Sequence, residues 1–134
     1  MGKIAPAVSA DGANNGYTAL VTKFTALQHA AAVLLEEAER LAQRMRVNAD
    51  AAVTVADLCA AAQVDDVHVA AVADVGEAFG RVVAGCKRLM GAADDLHTAA
   101  GHLKTEHQAE YGGIHEAVTT SGVRQALPGF YRQT

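Results

Sequence analysis

Apolar residues recur along most of the chain every seven residues, at alternating steps of three and four. The first such series comprises Tyr17, Leu20, Phe24, Leu27, Ala31, Leu34, Ala38, Leu41, Met45, Asn48, Ala52, Val55, Cys59 and Ala62. Outward positions of the same frame are polar, namely Thr22, His29, Glu36, Gln43, Asp50 and Asp57. This pattern predicts an amphipathic helix that buries one stripe against a partner.

The second half of the chain carries an equivalent series. It comprises Val72, Val75, Phe79, Val82, Cys86, Leu89, Ala93, Leu96, Ala100, Leu103, His107, Glu110, Ile114 and Ala117. A straight helix drifts by about 20° per heptad, so a sustained sevenfold repeat indicates helices that supercoil around each other. The frame changes at residues 63–66, where Asp65 and Asp66 can cap an incoming helix.

These patterns predict an all-α fold, a long antiparallel two-helix coiled-coil hairpin. Its helices span about 15–62 and about 66–120, joined by a turn at about 63–66. No glycine or proline marks that turn, and Thr54 to Asp57 resembles a capping box, so residues 49–63 could instead form a separate short helix. The unbroken phase of the first series favours one continuous helix.

Seven glycines interrupt the second predicted helix, and each costs up to about 1 kcal/mol relative to alanine. They are Gly76, Gly80, Gly85, Gly91, Gly101, Gly112 and Gly113. Either close packing against a partner requires them, or the helix bends or ends near Gly112 and Gly113.

Both ends of the chain lack the apolar period. Residues 1–16 are predicted to be a flexible arm, and residues 121–134 a tail that leaves the helix at Gly122. Within this tail, a segment comprising Pro128, Phe130, Tyr131 and Arg132 is expected to dock a protein partner or to fold back on the bundle. The alternative is that the tail is simply frayed.

The apolar stripe is wider than a two-helix contact needs, since it is flanked by residues such as Val21, Leu35, Val83 and Met90. Beside it the second helix carries a row of small residues seven apart, Ala78, Gly85, Ala92 and Ala99. Small side chains let another backbone approach closely. We therefore expect a homodimer in which two hairpins form an elongated four-helix bundle through this row.

Three polar residues interrupt the two apolar series: Asn48, His107 and Glu110. The simplest interpretation is a polar layer that fixes the register of the helices. Alternatively, protonation of His107 near neutral pH loosens the open end of the hairpin.

Little in the sequence points to catalysis or a bound metal. His102, Glu106 and Glu110 are four apart, but the paired Glu-x-x-His motifs of two-iron bundles are only approximated, by Asp65 with His68 and Asp94 with His97. The motifs typical of hydrolases, nucleotide-binding proteins and zinc sites are absent. We expect no catalytic residue, no metal, no cofactor and no enzyme activity.

Charge and composition restrict the partners further. The net charge is −4 and the eleven Lys and Arg residues are dispersed, so direct nucleic-acid binding is disfavoured. We find no stretch of roughly 18 uncharged apolar residues and no secretory signal, and expect a cytoplasmic protein without membrane insertion. Cys59 and Cys86 are expected to be reduced core residues.

Three short segments carry a resemblance to a known group of proteins: residues 44–49 (RMRVNA), residues 111–114 (YGGI) and residues 128–132 (PGFYR). Together they resemble small helical conjugal-transfer proteins of actinobacterial mobile elements, over about residues 17–132. The resemblance implies an accessory or scaffolding role in DNA transfer and carries over no catalytic residue.

Two other functions stay open at this point. Type VII secreted helical hairpins are of similar size, but this chain has no Trp for their Trp-x-Gly turn, and His115 stands where an acidic residue would follow Tyr111 by four. A bundle that binds a small ligand is the third possibility, for which His107, Glu110 and Tyr111 are the candidates.

Overall fold

The computed structural model describes residues 16–122, and all regular structure in this range is helical. Helix α1 spans Tyr17–Ala61 and helix α2 spans Asp66–Thr120. Both elements are α-helices, which confirms the all-helical expectation, and they pack against each other. The predicted bounds lie within two residues of these, and α1 continues through residues 49–61 without a break.

The turn between the helices is built from local backbone hydrogen bonds. Val64 donates its N–H to the carbonyl of Cys59 and Gln63 to that of Ala60, each at 3.0 Å, which is a Schellman motif. Gln63 occupies the left-handed position of this motif, with φ of 57°. Glutamine thus takes the place where glycine is preferred, which explains why no glycine marks the turn.

Asp65 starts the second helix as its N-cap. Its Oδ1 accepts a hydrogen bond from the N–H of Val67 at 3.0 Å, and its carbonyl accepts one from His68 at 2.9 Å. Asp66 follows in the first turn, where a negative charge favours the helix dipole. The capping predicted for this acidic pair is confirmed for Asp65.

Contacts divide the described part of the chain into two compact units, one formed by Ala30–His97 and the other by residues 16–29 and 98–122. In the first unit, Gly76 of α2 lies against α1, where a Cβ at this position would be 3.3 Å from the Cβ of Ala52. In the second unit, a Cβ at Gly112 would be 3.2 Å from the hydroxyl oxygen of Tyr17.

The glycines of α2 fall into two groups. A Cβ at Gly76, Gly101 or Gly112 would meet atoms of α1, so these glycines permit close packing. A Cβ at Gly80, Gly85, Gly91 or Gly113 would meet no atom of α1 within 4 Å. The helix continues through Gly112 and Gly113 to Thr120, so it does not end at this pair.

Most of the predicted arm and tail lie outside the described residues. Only Gly16, Ser121 and Gly122 of these segments are described, and Gly122 has φ of 61° just after the end of α2. The docking segment Pro128, Phe130, Tyr131 and Arg132 lies outside the described range.

Candidate interaction surface

The contact between the two helices is made mainly by alanine. Among the described residues the buried core comprises Ala31, Ala38, Ala42, Ala52, Ala56, Cys86, Ala93 and Ala100. No large side chain in this part of the chain is fully buried. Because alanine side chains are short, the helices approach closely along this row, and the longer apolar side chains are left beside the contact instead of inside it.

The stripe that faces the other helix is displaced from the predicted one. Along α1 within Ala30–His97, the protected positions are Ala31, Leu35, Ala38, Ala42, Met45, Ala49, Ala52, Ala56 and Cys59. Only every second member of the predicted series belongs to this set. The other members, Leu34, Leu41, Asn48 and Val55, lie one position earlier on the helix and are exposed.

Helix α2 shows the same displacement. Its protected positions in this unit include Gly76, Phe79, Val83, Cys86, Met90 and Ala93. The predicted members Val75, Val82, Leu89 and Leu96 are exposed instead. Val83 and Met90, expected only to flank the stripe, take part in it.

The large apolar members of the two predicted series that are exposed within Ala30–His97 form what we call the leucine face: Leu34, Leu41, Val55, Val75, Val82, Leu89 and Leu96. Each of these seven side chains is between 40% and 50% exposed. Large apolar side chains at this level of exposure, repeated every seven residues on both helices, are typical of a surface that another molecule covers.

A shallow apolar groove shows that the two rows lie on one side of the helix pair. Val55 of α1 and Val75 of α2 line the same groove. Its other lining residues are Asn48, Ala51, Ala52, Val72 and Phe79. The rows of α1 and α2 therefore belong to one continuous face, and the groove contains none of the ligand candidates His107, Glu110 and Tyr111.

An aromatic cluster lies in the other unit, around Tyr17. The Tyr17 ring stacks on His107 at a centroid distance of 5.0 Å and on His115 at 4.5 Å. Phe24 and Tyr111 contact the ring of His107 at 6.0 and 5.3 Å. Nε2 of His107 donates a hydrogen bond to the carbonyl oxygen of Tyr17 at 3.2 Å. The cluster joins the start of α1 to α2 more than 80 residues later.

The sequence did not single out His115 as a partner of Tyr17. A signal was present, since His107, Tyr111 and His115 are spaced by four and therefore lie along one side of the helix. Of the three polar residues at predicted stripe positions, only His107 is part-buried. Asn48 and Glu110 are exposed.

The predicted oligomer row is accessible. Ala92 and Ala99 are exposed, and Ala78 and Gly85 are partly exposed. A Cβ at Gly85 would meet only the end of the Arg88 side chain, at 3.9 Å. These four positions lie directly beside the α2 row of the leucine face, three residues after Val75, Val82, Leu89 and Leu96.

The remaining polar groups in residues 16–122 bear on the expected metal, thiol and ion-pair chemistry. No group of three His, Cys, Asp or Glu residues in this range could hold a metal ion. Cys59 and Cys86 are free thiols. Arg40 pairs with Glu36 and Glu37 on the exposed side of α1, as intrahelical ion pairs do.

One finding bears on the expectation about membranes. By length and composition alone, α1 could cross a bilayer, and its most apolar 18-residue window is only 6% buried. This is weak evidence, because the core helix of a soluble protein or a signal sequence near the N-terminus meets the same criterion. The expectation that the protein does not insert into a membrane stays a prediction.

Comparison with known protein families, with curated proteins and with solved structures finds no match for the chain.

Proposed function

We propose that the protein is a non-enzymatic helical interaction protein, and that a second copy of the chain covers its leucine face. In this proposal each copy is an antiparallel hairpin, and two hairpins form a four-helix bundle. The observation that carries the proposal is the exposure of seven large apolar side chains on one side of a helix pair whose own core is alanine.

Contacts within each unit support an antiparallel arrangement of the helices. Ala52, late in α1, lies against Gly76, early in α2. Tyr17, at the start of α1, contacts His107 and Gly112, late in α2. The connection of only four residues, 62–65, also favours neighbours that run in opposite directions.

The free energy gained by burying apolar side chains favours a leucine face that a second chain covers. Burial of a methylene group contributes about 0.8 kcal/mol, and alanine offers a single methyl carbon. The larger contribution available to this sequence therefore comes from the leucine and valine side chains. They stay partly exposed in one chain, and a second apolar face would remove them from water.

The apolar character of the accessible surface favours an interaction role over catalysis. The groove beside Val55 and Val75 is lined by aliphatic, aromatic and small side chains, with Asn48 the single polar lining residue. A scaffolding role accessory to conjugative DNA transfer rests on the sequence resemblance and stays a proposal. A cytoplasmic location rests on the sequence expectation about membranes and secretory signals and also stays a proposal.

The proposal is tested by making the face polar. We expect light scattering of the wild-type chain at micromolar concentration to give twice the mass of a single chain. The variant Leu41→Glu/Leu89→Glu is expected to be a helical monomer, because neither residue belongs to the alanine contact. Val53→Glu is the matched control, since Val53 is 55% exposed but lies off the leucine face.

Two results would overturn the proposal. One is a monomeric wild type that binds phosphatidylcholine vesicles through α1, which would assign the apolar face to lipid. The other is a dimer that survives Leu41→Glu/Leu89→Glu unchanged, which would place the contact between copies elsewhere.

A further inference from the structure

We propose that the second copy lies antiparallel across the leucine face, with the two-fold axis at Leu41 and Leu89. This inference rests on the proposed dimer and adds its orientation and register. It is carried by the charged residues that border the leucine face within Ala30–His97. On α1 these are Glu37 and Arg44, and on α2 they are Asp74, Arg81, Arg88 and Asp95, all exposed.

The groove shows which residues of α1 and α2 lie at the same level within one chain. Val55 and Val75 line it from the two helices. Two heptads earlier on α1 and two heptads later on α2, the same relation places Leu41 level with Leu89. A perpendicular two-fold axis at this level sets α1 beside α1 of the second copy, and α2 beside its α2.

On α1, this axis brings unlike charges together. Glu37 and Arg44 lie on either side of Leu41, so in an antiparallel pair Glu37 meets Arg44 of the second copy, twice per dimer. A shift of one heptad in one direction would place Glu37 opposite Glu37 of the second copy. A shift in the other direction would place Arg44 opposite Arg44 of the second copy. The charges therefore select one register.

On α2, the same axis gives two unlike pairs and one like pair. Arg81 meets Asp95 of the second copy, again twice per dimer, whereas Arg88 lies on the axis and meets Arg88 of the second copy. The row of small residues meets itself, with Gly85 opposite Ala92 and Ala78 opposite Ala99, so the two α2 helices can approach closely. Neither shift by one heptad keeps this match. In one direction, Arg81 lies opposite Arg88 of the second copy. In the other direction, Asp95 pairs with Arg88, but the like charges on α1 then repel each other.

The other two-fold arrangement places both turns at the same end. It sets α1 beside α2 of the second copy, with Glu37 opposite Ala92 and Arg44 opposite Gly85. Arg40 then meets Arg88, and the border gains no unlike pair within this unit, whereas the antiparallel arrangement places Arg40 and Arg88 opposite their own counterparts but gains four unlike pairs. Charge complementarity therefore favours the antiparallel arrangement.

Distance measurement between spin labels separates the two orientations. The label is attached to Asp57→Cys on the outward side of α1, in full-length chain carrying Cys59→Ala and Cys86→Ala. At about 1.5 Å per residue, the antiparallel dimer separates the two labels by about 50 Å along the bundle. With both turns at one end the labels lie about 20–30 Å apart, two to three helix diameters.

The outcomes distinguish this inference from the dimer itself. The longer of the two distances, together with a dimer mass, supports the orientation. The shorter distance with a dimer mass overturns the orientation and leaves the dimer standing. A monomer mass with no distance between chains overturns both.

Charge reversal gives an independent test. We expect Glu37→Arg to weaken the dimer about tenfold, because two attractive pairs become repulsive. Adding Arg44→Glu should restore an affinity within a few-fold of wild type. Glu36→Arg is the matched control, since Glu36 also pairs with Arg40 but faces outward. Absence of rescue by Arg44→Glu would contradict the register.

Discussion

Nε2 of His107 donates a hydrogen bond to the backbone carbonyl of Tyr17 across 90 residues of sequence, at 3.2 Å, while the two rings stack. A carbonyl can only accept, so Nε2 carries the proton. The contact therefore ties the start of α1 to α2.

We expect His107→Ala to lower the free energy of unfolding by about 1–3 kcal/mol, from the lost hydrogen bond and ring contacts. Urea denaturation at fixed protein concentration measures the change. Glu110→Ala is the control, since Glu110 is exposed, and should stay within about 0.5 kcal/mol of wild type. Equal effects of the two substitutions would show that the cluster contributes nothing to stability.

The alanine contact leaves no room for a larger side chain. Ala42 is 0% exposed. Ala42→Leu should push the helices apart and destabilise the protein by about 1–3 kcal/mol. Ala32→Leu, on an exposed position of the same helix, should be nearly neutral. Thermal unfolding followed by circular dichroism at one concentration compares them, and a tolerated Ala42→Leu would disprove the close contact.

The glycines of α2 should respond to alanine in opposite directions. Gly91→Ala is expected to stabilise the protein by up to about 1 kcal/mol, because the site is open and alanine favours the helix. Gly76→Ala should gain less or lose stability, since its Cβ would crowd Ala52 at 3.3 Å. Chemical denaturation of both variants checks the order, and a greater gain at Gly76 would contradict the contact.

The left-handed residue of the turn offers a stabilising change. Gln63→Gly should raise the free energy of unfolding by about 1 kcal/mol, because glycine adopts a positive φ without steric cost. Gln108→Gly, the same substitution inside α2, should instead lower it by about 1 kcal/mol. Calorimetry of the two variants measures both, and a loss at Gln63 would argue against the Schellman turn.

The sequence predicted the helices well, because a sevenfold repeat and an aspartate cap are local signals. It did not predict which side of each helix faces the other. Leu41 and Ala42 are both apolar neighbours, and periodicity alone cannot rank them. Which of the two faces the other helix depends on how closely the backbones approach. Alanine at position 42 permits a close approach that leucine at position 41 does not.

The turn and the aromatic cluster show the same limit. Gln63 takes a conformation that residue preferences assign to glycine, since the neighbouring hydrogen bonds impose it. His115 lies on Tyr17 because of the register between distant segments, and only its spacing from His107 and Tyr111 hinted at this.

The most direct test of the covered leucine face is the mass of the wild-type chain by sedimentation equilibrium over a range of micromolar concentrations. We predict a reversible dimer, with twice the mass of one chain, that dissociates on dilution with a single association constant. A protein that keeps the mass of one chain at every concentration, folded and with its helix content intact, would contradict the account.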